Sequence, residues 1–354
     1  MKELDIIKRL FRSDEILGCD IGSALFKFVR LKQKGDILSL VSFGLIEADV
    51  LGENIVELQR TQAYLKENGL AGCHASINIE DESLRIRRMD LPRMPPNDMK
   101  IAIRWNFREY VDGQIEKYTI AYNTLEGVKI EGDKHPILAF AVSGDSVSRM
   151  VGLAKQIGLK PTIIEPNATA LLAAFDLNVK WESDKYYIMV DMGDHVTNFT
   201  ALGNGLLMFS RPLAMLGYRS VVKDIARNMA VSLEEAAAIF RAYQGIGNRK
   251  ISVPDDKKQK VQEVVDGFLS QLVIEIQRSI DAFCLMFNLD KMEAIFLSGG
   301  GSLVPGISEY LAKNLGITTK LFNPFEKLDT KEAGDMITNP QLYTVAVGLA
   351  VPRR

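Results

Sequence analysis

The chain has 354 residues, 47% hydrophobic and 25% charged, the balance of an ordinary globular protein long enough for two domains. A formal net charge of −2 supplies no field to draw it onto nucleic acid, so no nucleic-acid partner is expected. Three dispersed cysteines (Cys19, Cys73 and Cys284) and only three histidines argue against a disulfide scaffold or a zinc centre and fit a reduced, cytoplasmic setting.

Residues 1–12 read as an amphipathic helix, with Leu4, Ile7, Leu10 and Phe11 opposed by Lys2, Lys8, Arg9 and Arg12. It is expected to pack on the protein's own surface, with a weak membrane-surface contact as the second reading. The segment lacks the continuous apolar core of a secretory signal, and no stretch reaches the roughly 18–20 apolar residues that span a bilayer. Strand-like runs follow at Ile16–Asp20, Ala24–Leu31 and Ile37–Ile46, with turns at Gly22-Ser23 and Lys34-Gly35-Asp36. A helix is expected over Glu53–Lys66, then strands over Cys73–Ile79 and Ser83–Met89.

Leu91-Pro-Arg-Met-Pro-Pro96 reads as a break that opens an insertion running to about Lys160, with helices at Asp98–Val111 and Asp145–Ile157. Trp105 and Tyr110, at helical spacing with Ile101, read as core of that insertion, with aromatics lining a partner groove as the second reading. The second half repeats the first: strands over Tyr186–Met192, Val196–Leu202 and Leu206–Arg211, then a helix over Tyr218–Met229. Each copy ends its first strand in Asp-x-Gly, at Asp20-Ile-Gly22 and Asp191-Met-Gly193, and a duplicated α/β fold explains this economically. About Ala214–Asn288 is almost wholly helical, its last helix carrying Val265, Leu269, Leu272, Ile276, Ile280 and Phe283 as a core-facing stripe. Arg249–Lys260 reads as a charged, solvated loop, and residues 340–354 as a buried helix with a short basic tip.

Three glycine-bearing turns follow apolar strands. They are Gly18-Cys-Asp20-Ile-Gly22-Ser23 with Lys27 on the next strand, Asp191-Met-Gly193-Asp-His-Val-Thr197-Asn198, and Ser298-Gly299-Gly300-Gly301-Ser302. A glycine removes the Cβ that keeps ligand oxygens away from backbone N–H groups. Ser23, Lys27 and Thr197 supply further donors to phosphate, and Asp20 and Asp191 suit Mg²⁺ held through water. Plain turn chemistry competes for either Asp-x-Gly, and tight packing competes for the glycine run. Glu165, after an apolar run and before a helix, suits orienting a water near a phosphate; complementing that helix's N-terminus is the alternative.

These motifs resemble the actin-like superfamily, and within it the PilM family of type IV pilus assembly proteins, with FtsA a more distant relative. The resemblance rests on Leu17–Ser23, Arg85–Pro92 with Met94, Ile101–Trp105, Ile164-Glu-Pro166, Val190–Gly193 with Thr197, and Leu297–Gly301 with Pro305-Gly306. It implies a ribonuclease H-like duplicated fold of two lobes, each with an inserted small subdomain, in an FtsA-like arrangement. The first-lobe core is then 1–90 with 161–185 and 335–354, carrying 91–160 as its insertion. The second-lobe core is 186–213 with 289–334, carrying 214–288 as its helical subdomain.

The resemblance further implies ATP with Mg in the interlobe cleft, bound by Asp20, Gly22, Ser23, Lys27, Gly193, Thr197, Asn198, Gly299, Gly300, Gly301 and Ser302. Glu165 and Asp191 are the candidate catalytic residues, with turnover expected to be very slow or absent. As partners it implies the N-terminal cytoplasmic tail of a PilN-like bitopic protein, the pilus platform protein and the motor ATPases. The expected place is the cytoplasm, peripheral on the inner membrane. Departures from the family pattern concern the nucleotide: Ala237 and Phe240 stand where ribose-binding Glu and Lys are usual, and Gly217-Tyr218 replaces a paired Gly. Asp194 adds a carboxylate beside the second phosphate site, where like charges about 4 Å apart repel by roughly 4 kcal/mol at an effective dielectric near 20. An actin-superfamily ATPase or small-molecule kinase, and an FtsA-like filament-forming membrane adaptor, are the alternative readings.

Overall fold

The computed structural model describes residues 15–47, 55–128, 133–213, 215–245, 255–333 and 336–353. The amphipathic segment 1–12 and the first half of the charged loop, 249–254, lie outside these residues; its second half, from residue 255, belongs to a helix and not to a loop. Two compact units emerge, one holding residues up to Lys180 with Gly205–Phe209 and Pro324 onward, the other Trp181–Asn204 and Ser210–Asn323.

In the first unit, β1 (Glu15–Ile21), β2 (Leu25–Lys34) and β3 (Ile37–Glu47) form an antiparallel meander. After α1 (Ile55–Glu67), β4 (His74–Ile79) returns parallel to β1. The next strands, β5 (Arg85–Pro92), β6 (Tyr118–Thr124) and β7 (Lys134–Ser143), form a separate sheet in the order β5-β7-β6. The chain then passes through α2 (Pro96–Phe107, between β5 and β6) and α3 (Gly144–Gln156) to β8 (Lys160–Pro166), which closes the first sheet in the order β3-β2-β1-β4-β8.

A second five-stranded sheet holds β9 (Tyr186–Met192), β10 (Thr197–Gly203), β11 (Leu206–Leu213), β12 (Ala294–Ser298) and β13 (Thr319–Leu321), in the order β11-β10-β9-β12-β13. Central β1 and β9 each pair antiparallel with the next strand in sequence and parallel with a later one. Same order and same directions make the duplication a property of the fold. Between β11 and β12 lie α5 (Tyr218–Met229), α6 (Leu233–Tyr243) and α7 (Asp255–Phe287). The expected stripe on α7 is buried throughout, from Val265 at 1% exposed to Phe283 at 0%, which contributes about 1.5–3 kcal/mol per large apolar side chain.

The first sheet is closed on one side by α3, whose Leu153, Ala154 and Ile157 join Leu17, Cys19, Phe26 and Ile77 in one core. Two close approaches fix the final helix (Thr344–Ala350), every residue of which is buried. A Cβ on Gly348 would overlap the carbonyl oxygen of Ala170 in α4 (Asn167–Asn178), and one on Gly18 of β1 would overlap the carbonyl oxygen of Ala346. The expected buried C-terminal helix is therefore present, packed too closely for any side chain at these glycines.

Three expectations fail around β5–β7. Leu91-Pro92 does not break structure: β5 runs through Pro92, opposite Lys134 of β7, and the break begins at residue 93. Helix α2 stops at Phe107, well short of Val111. Its core face is Met99, Ile103 and Phe107, which pack on Met89, Tyr118, Ile137 and Ala139. Ile101 and Trp105 therefore point the other way, 56% and 62% exposed, and Tyr110 is 40% exposed. They are not core. Arg108 lies 3.9 Å over the Trp105 ring and Arg87 lies 3.5 Å over that of Tyr110, so guanidinium groups cover faces that apolar packing leaves open.

Candidate phosphate-binding turns

The two Asp-x-Gly turns are built alike. The N–H of Gly22 donates to the carbonyl of Leu25 at 3.0 Å, and that of Gly193 donates to Val196 at 3.0 Å. A Cβ on Gly22 would lie 2.8 Å from the Leu25 oxygen, and one on Gly193 would lie 2.9 Å from the Val196 oxygen. Both glycines are thus required by the turn itself, whatever it binds.

Each turn is headed by a buried carboxylate that the neighbouring parallel strand secures. Asn78, at the end of β4, donates from Nδ2 to Asp20 Oδ1 at 3.1 Å. Ser298, at the end of β12, donates from Oγ to Asp191 Oδ1 at 2.8 Å. Asn78 also accepts the Ile21 N–H at 2.8 Å and donates to Asn167 Oδ1 at 3.1 Å, which ties the first turn to the start of α4.

The antiparallel neighbours differ. Lys27 stands opposite Asp20, with its ammonium 2.5 Å from Asp20 Oδ2. The matching position opposite Asp191 is Asn198, buried and uncharged. Asp20 is thereby a paired charge with donors on both oxygens. Ser23, half-buried, follows Gly22.

The equivalent of Ser23 in the second turn is Asp194, and its charge is not bare. Arg219 grips Asp194 Oδ2 from Nε at 3.1 Å and from Nη2 at 3.0 Å, and His195 Nε2 lies 3.4 Å away. The repulsion expected from this carboxylate is accordingly offset by a guanidinium held on the first turn of α5. Backbone bonds hold the arrangement: the Tyr218 N–H donates to Gly193 O at 3.0 Å and the Arg219 N–H to Asp194 O at 2.8 Å. Gly217 is part of this packing, because a Cβ there would sit 2.5 Å from the Asp194 carbonyl oxygen. Thr197 is fully buried and donates its hydroxyl to the Leu216 carbonyl.

The glycine run divides by role. Gly299 has φ +78°, and a Cβ there would lie 2.5 Å from Met192 O; one on Gly301 would lie 2.7 Å from Met192 Cβ. These two allow the loop to lie on the second turn. Gly300 has nothing within 4 Å of its would-be Cβ and is the open member. Ser302, buried, folds its hydroxyl back onto Gly299 O at 2.6 Å. Gln244 donates to Gly300 O at 3.2 Å.

Glu165, at the end of β8, accepts from Thr169 Oγ1 at 2.8 Å and forms an ion pair with Arg353. Both oxygens are engaged, a structural role beside α4. Phe240 is buried against Tyr218, ring centroids 5.0 Å apart, and the Tyr218 hydroxyl donates to Ala237 O at 3.4 Å. Aromatic packing fills the place where ribose-binding side chains were sought. Cys19 is fully buried, which pushes its thiol well above the ordinary range and rules it out as a nucleophile. Asn78, Asn167 and Arg353 escaped the sequence reading because their partners lie 57 or more positions away, and Arg219 because its partner lies 25 positions back, across a turn whose folding the sequence does not spell out.

Two like-built sheets, each ending in a carboxylate-headed glycine turn, define a protein of the actin-like ATPase fold. The chain matches the family of type IV pilus assembly protein PilM over residues 18–354, and it belongs to that family. Among solved structures it is similar to a PilM-PilN type IV pilus biogenesis complex, at 21% identity, covering 95% of this chain and 97% of that chain, TM-score 0.79. The ethanolamine utilization protein EutJ from Carboxydothermus hydrogenoformans follows at 14% identity, covering 99% and 97%, TM-score 0.55. MreB5 of Spiroplasma citri bound to ADP is similar at 12% identity, covering 94% of each chain, TM-score 0.50. At these identities the structures speak for the fold.

Proposed function

We propose that this chain is a scaffold of the type IV pilus inner-membrane assembly that binds the N-terminal cytoplasmic tail of a PilN-like protein. Membership of the PilM family across residues 18–354 carries this reading. Residues 91–160, which supply β6 and β7 of the β5-β7-β6 sheet, serve as the inserted subdomain of the first lobe, and 214–288 as that of the second. Among the described residues no helix is long and apolar enough to cross a membrane. Attachment to the inner membrane then comes through partners, the PilN-like tail first, with the platform protein and motor ATPases beyond it.

The exposed Ile101 and Trp105 on α2, backed by a rigid apolar face, give the inserted subdomain a surface suited to an apolar peptide. Calorimetric titration of the full chain with the PilN tail peptide tests the proposal. Saturable binding, weakened at least about tenfold by Trp105→Ala with an unchanged melting temperature, is expected. Absence of binding to the unsubstituted chain would overturn it.

The same reading includes ATP. The backbone of the Gly22 and Gly193 turns and the open Gly300 fit phosphate oxygens, each turn on its own unit. Asp20, which carries the Lys27 ammonium, and Asp191 are the carboxylates that would hold Mg²⁺ through water. Bound Mg²⁺ would neutralise phosphate charge. Glu165, engaged by Thr169 and Arg353, is not poised as a base, which favours binding over turnover.

A further inference from the structure

Superposing the two turns by their hydrogen bonds, Gly22 to Leu25 and Gly193 to Val196, sets Ser23 against Asp194. The first copy has a neutral hydroxyl at the position after its glycine. The second has an anion, and a guanidinium two residues into α5 that grips it through Nε at 3.1 Å and Nη2 at 3.0 Å. A carboxylate and a phosphate are both acceptor-only anions that an arginine fork binds through the same edge. Asp194 is 14% exposed while Arg219 is 42% exposed, so the guanidinium is within reach of a solute.

We propose that Asp194 is a built-in competitor of phosphate at the second turn, and that its ion pair with Arg219 sets how tightly that turn binds a nucleotide. With the pair closed, Asp194 and Arg219 cancel each other's charge and the fork is occupied. Removing the carboxylate leaves a cation facing the turn. Removing the guanidinium leaves an anion there. The two single substitutions therefore act in opposite directions on phosphate binding, although both break the same ion pair. A purely structural pair would give losses in both. The inference rests on the nucleotide reading above and goes beyond it, by naming the two side chains that tune affinity.

Mg-ATP is titrated calorimetrically into the full chain and into Asp194→Ser, Arg219→Ala and the double variant, with thermal melting recorded for each. Asp194→Ser copies the first turn and should bind about tenfold tighter or better; Arg219→Ala should bind about tenfold weaker. The double variant, with the same net charge as the unsubstituted chain, should return close to its affinity. Weaker binding in both single variants, or four equal affinities, would overturn the inference and leave nucleotide binding standing. Heat from none of the four proteins would overturn the nucleotide reading itself, and this inference with it.

Discussion

The Asp20 turn and the Asp191 turn share a backbone and differ in charge. In the first, a lysine on the antiparallel neighbour sits 2.5 Å from the carboxylate, and the residue after glycine is Ser23. In the second, the lysine's counterpart is Asn198, and the counterpart of Ser23 is Asp194, answered by Arg219 from a helix. Duplication has conserved what the turn needs to fold, namely the glycine, the i to i+3 bond and a donor from the parallel strand. It has not conserved the electrostatics, which any ligand would read.

The sharpest way to separate the copies is Lys27→Met against Asn198→Ala. The first leaves a buried, unpaired carboxylate and should cost about 3–5 kcal/mol, read from the denaturant midpoint of the first unit. The second strands no charge and should cost about 1 kcal/mol. Equal costs would mean that Lys27 does not stabilise its turn as a charge. Within the third turn, Gly299→Ala forces a side chain to φ +78° and onto Met192, at about 1–3 kcal/mol. Gly300→Ala meets nothing and should stay within about 0.5 kcal/mol while weakening Mg-ATP, which isolates the ligand-facing glycine from the packing one.

The smallest effect concerns acid and is expected in the first unit. Burial alone would raise the pKa of Asp81, but the hydroxyl and N–H of Ser83, the Ser146 hydroxyl and the Arg149 guanidinium together hold it below the ordinary carboxylate value. A lowered folded-state pKa means that its contribution is present above the unfolded value near 3.8 and is lost as pH falls through the folded one. Melting of the first unit should therefore become acid-sensitive below about pH 4, and Asp81→Asn should blunt that sensitivity.

Much of this architecture was legible in the sequence, and the exceptions have physical causes. Each three-strand meander announced itself through short apolar runs with glycine turns, and Tyr186–Met192 and Tyr218–Met229 match to the residue. Strand β7 was missed because it is buried on both faces: Ile137 and Ala139 pack toward α2 while Val142 joins the main core, so no alternation marks it. Pro136 near its start masked it further. On α2 two apolar stripes compete at the same spacing, Met99-Ile103-Phe107 and Ile101-Trp105, and only the sheet beneath decides which is buried.

The site divides the same way. Asp20, Gly22, Asp191 and Gly193 were visible as local motifs. Asn78, Ser298 and Arg353 act on residues 58, 107 and 188 positions away, a proximity that only the fold creates. Arg219, 25 positions from Asp194, changed the meaning of a carboxylate that the sequence showed without its partner.

The claim that both turns are phosphate-binding elements is tested most directly by equilibrium titration of the full chain with Mg-ATP, alongside Ser23→Asp. That substitution writes the second turn's carboxylate into the first without adding a counterpart of Arg219. The account predicts saturable binding by the unsubstituted chain and a loss of at least about tenfold in Ser23→Asp, at an unchanged melting temperature. Binding that is indifferent to a new anion beside Gly22, or no binding at all, would contradict it.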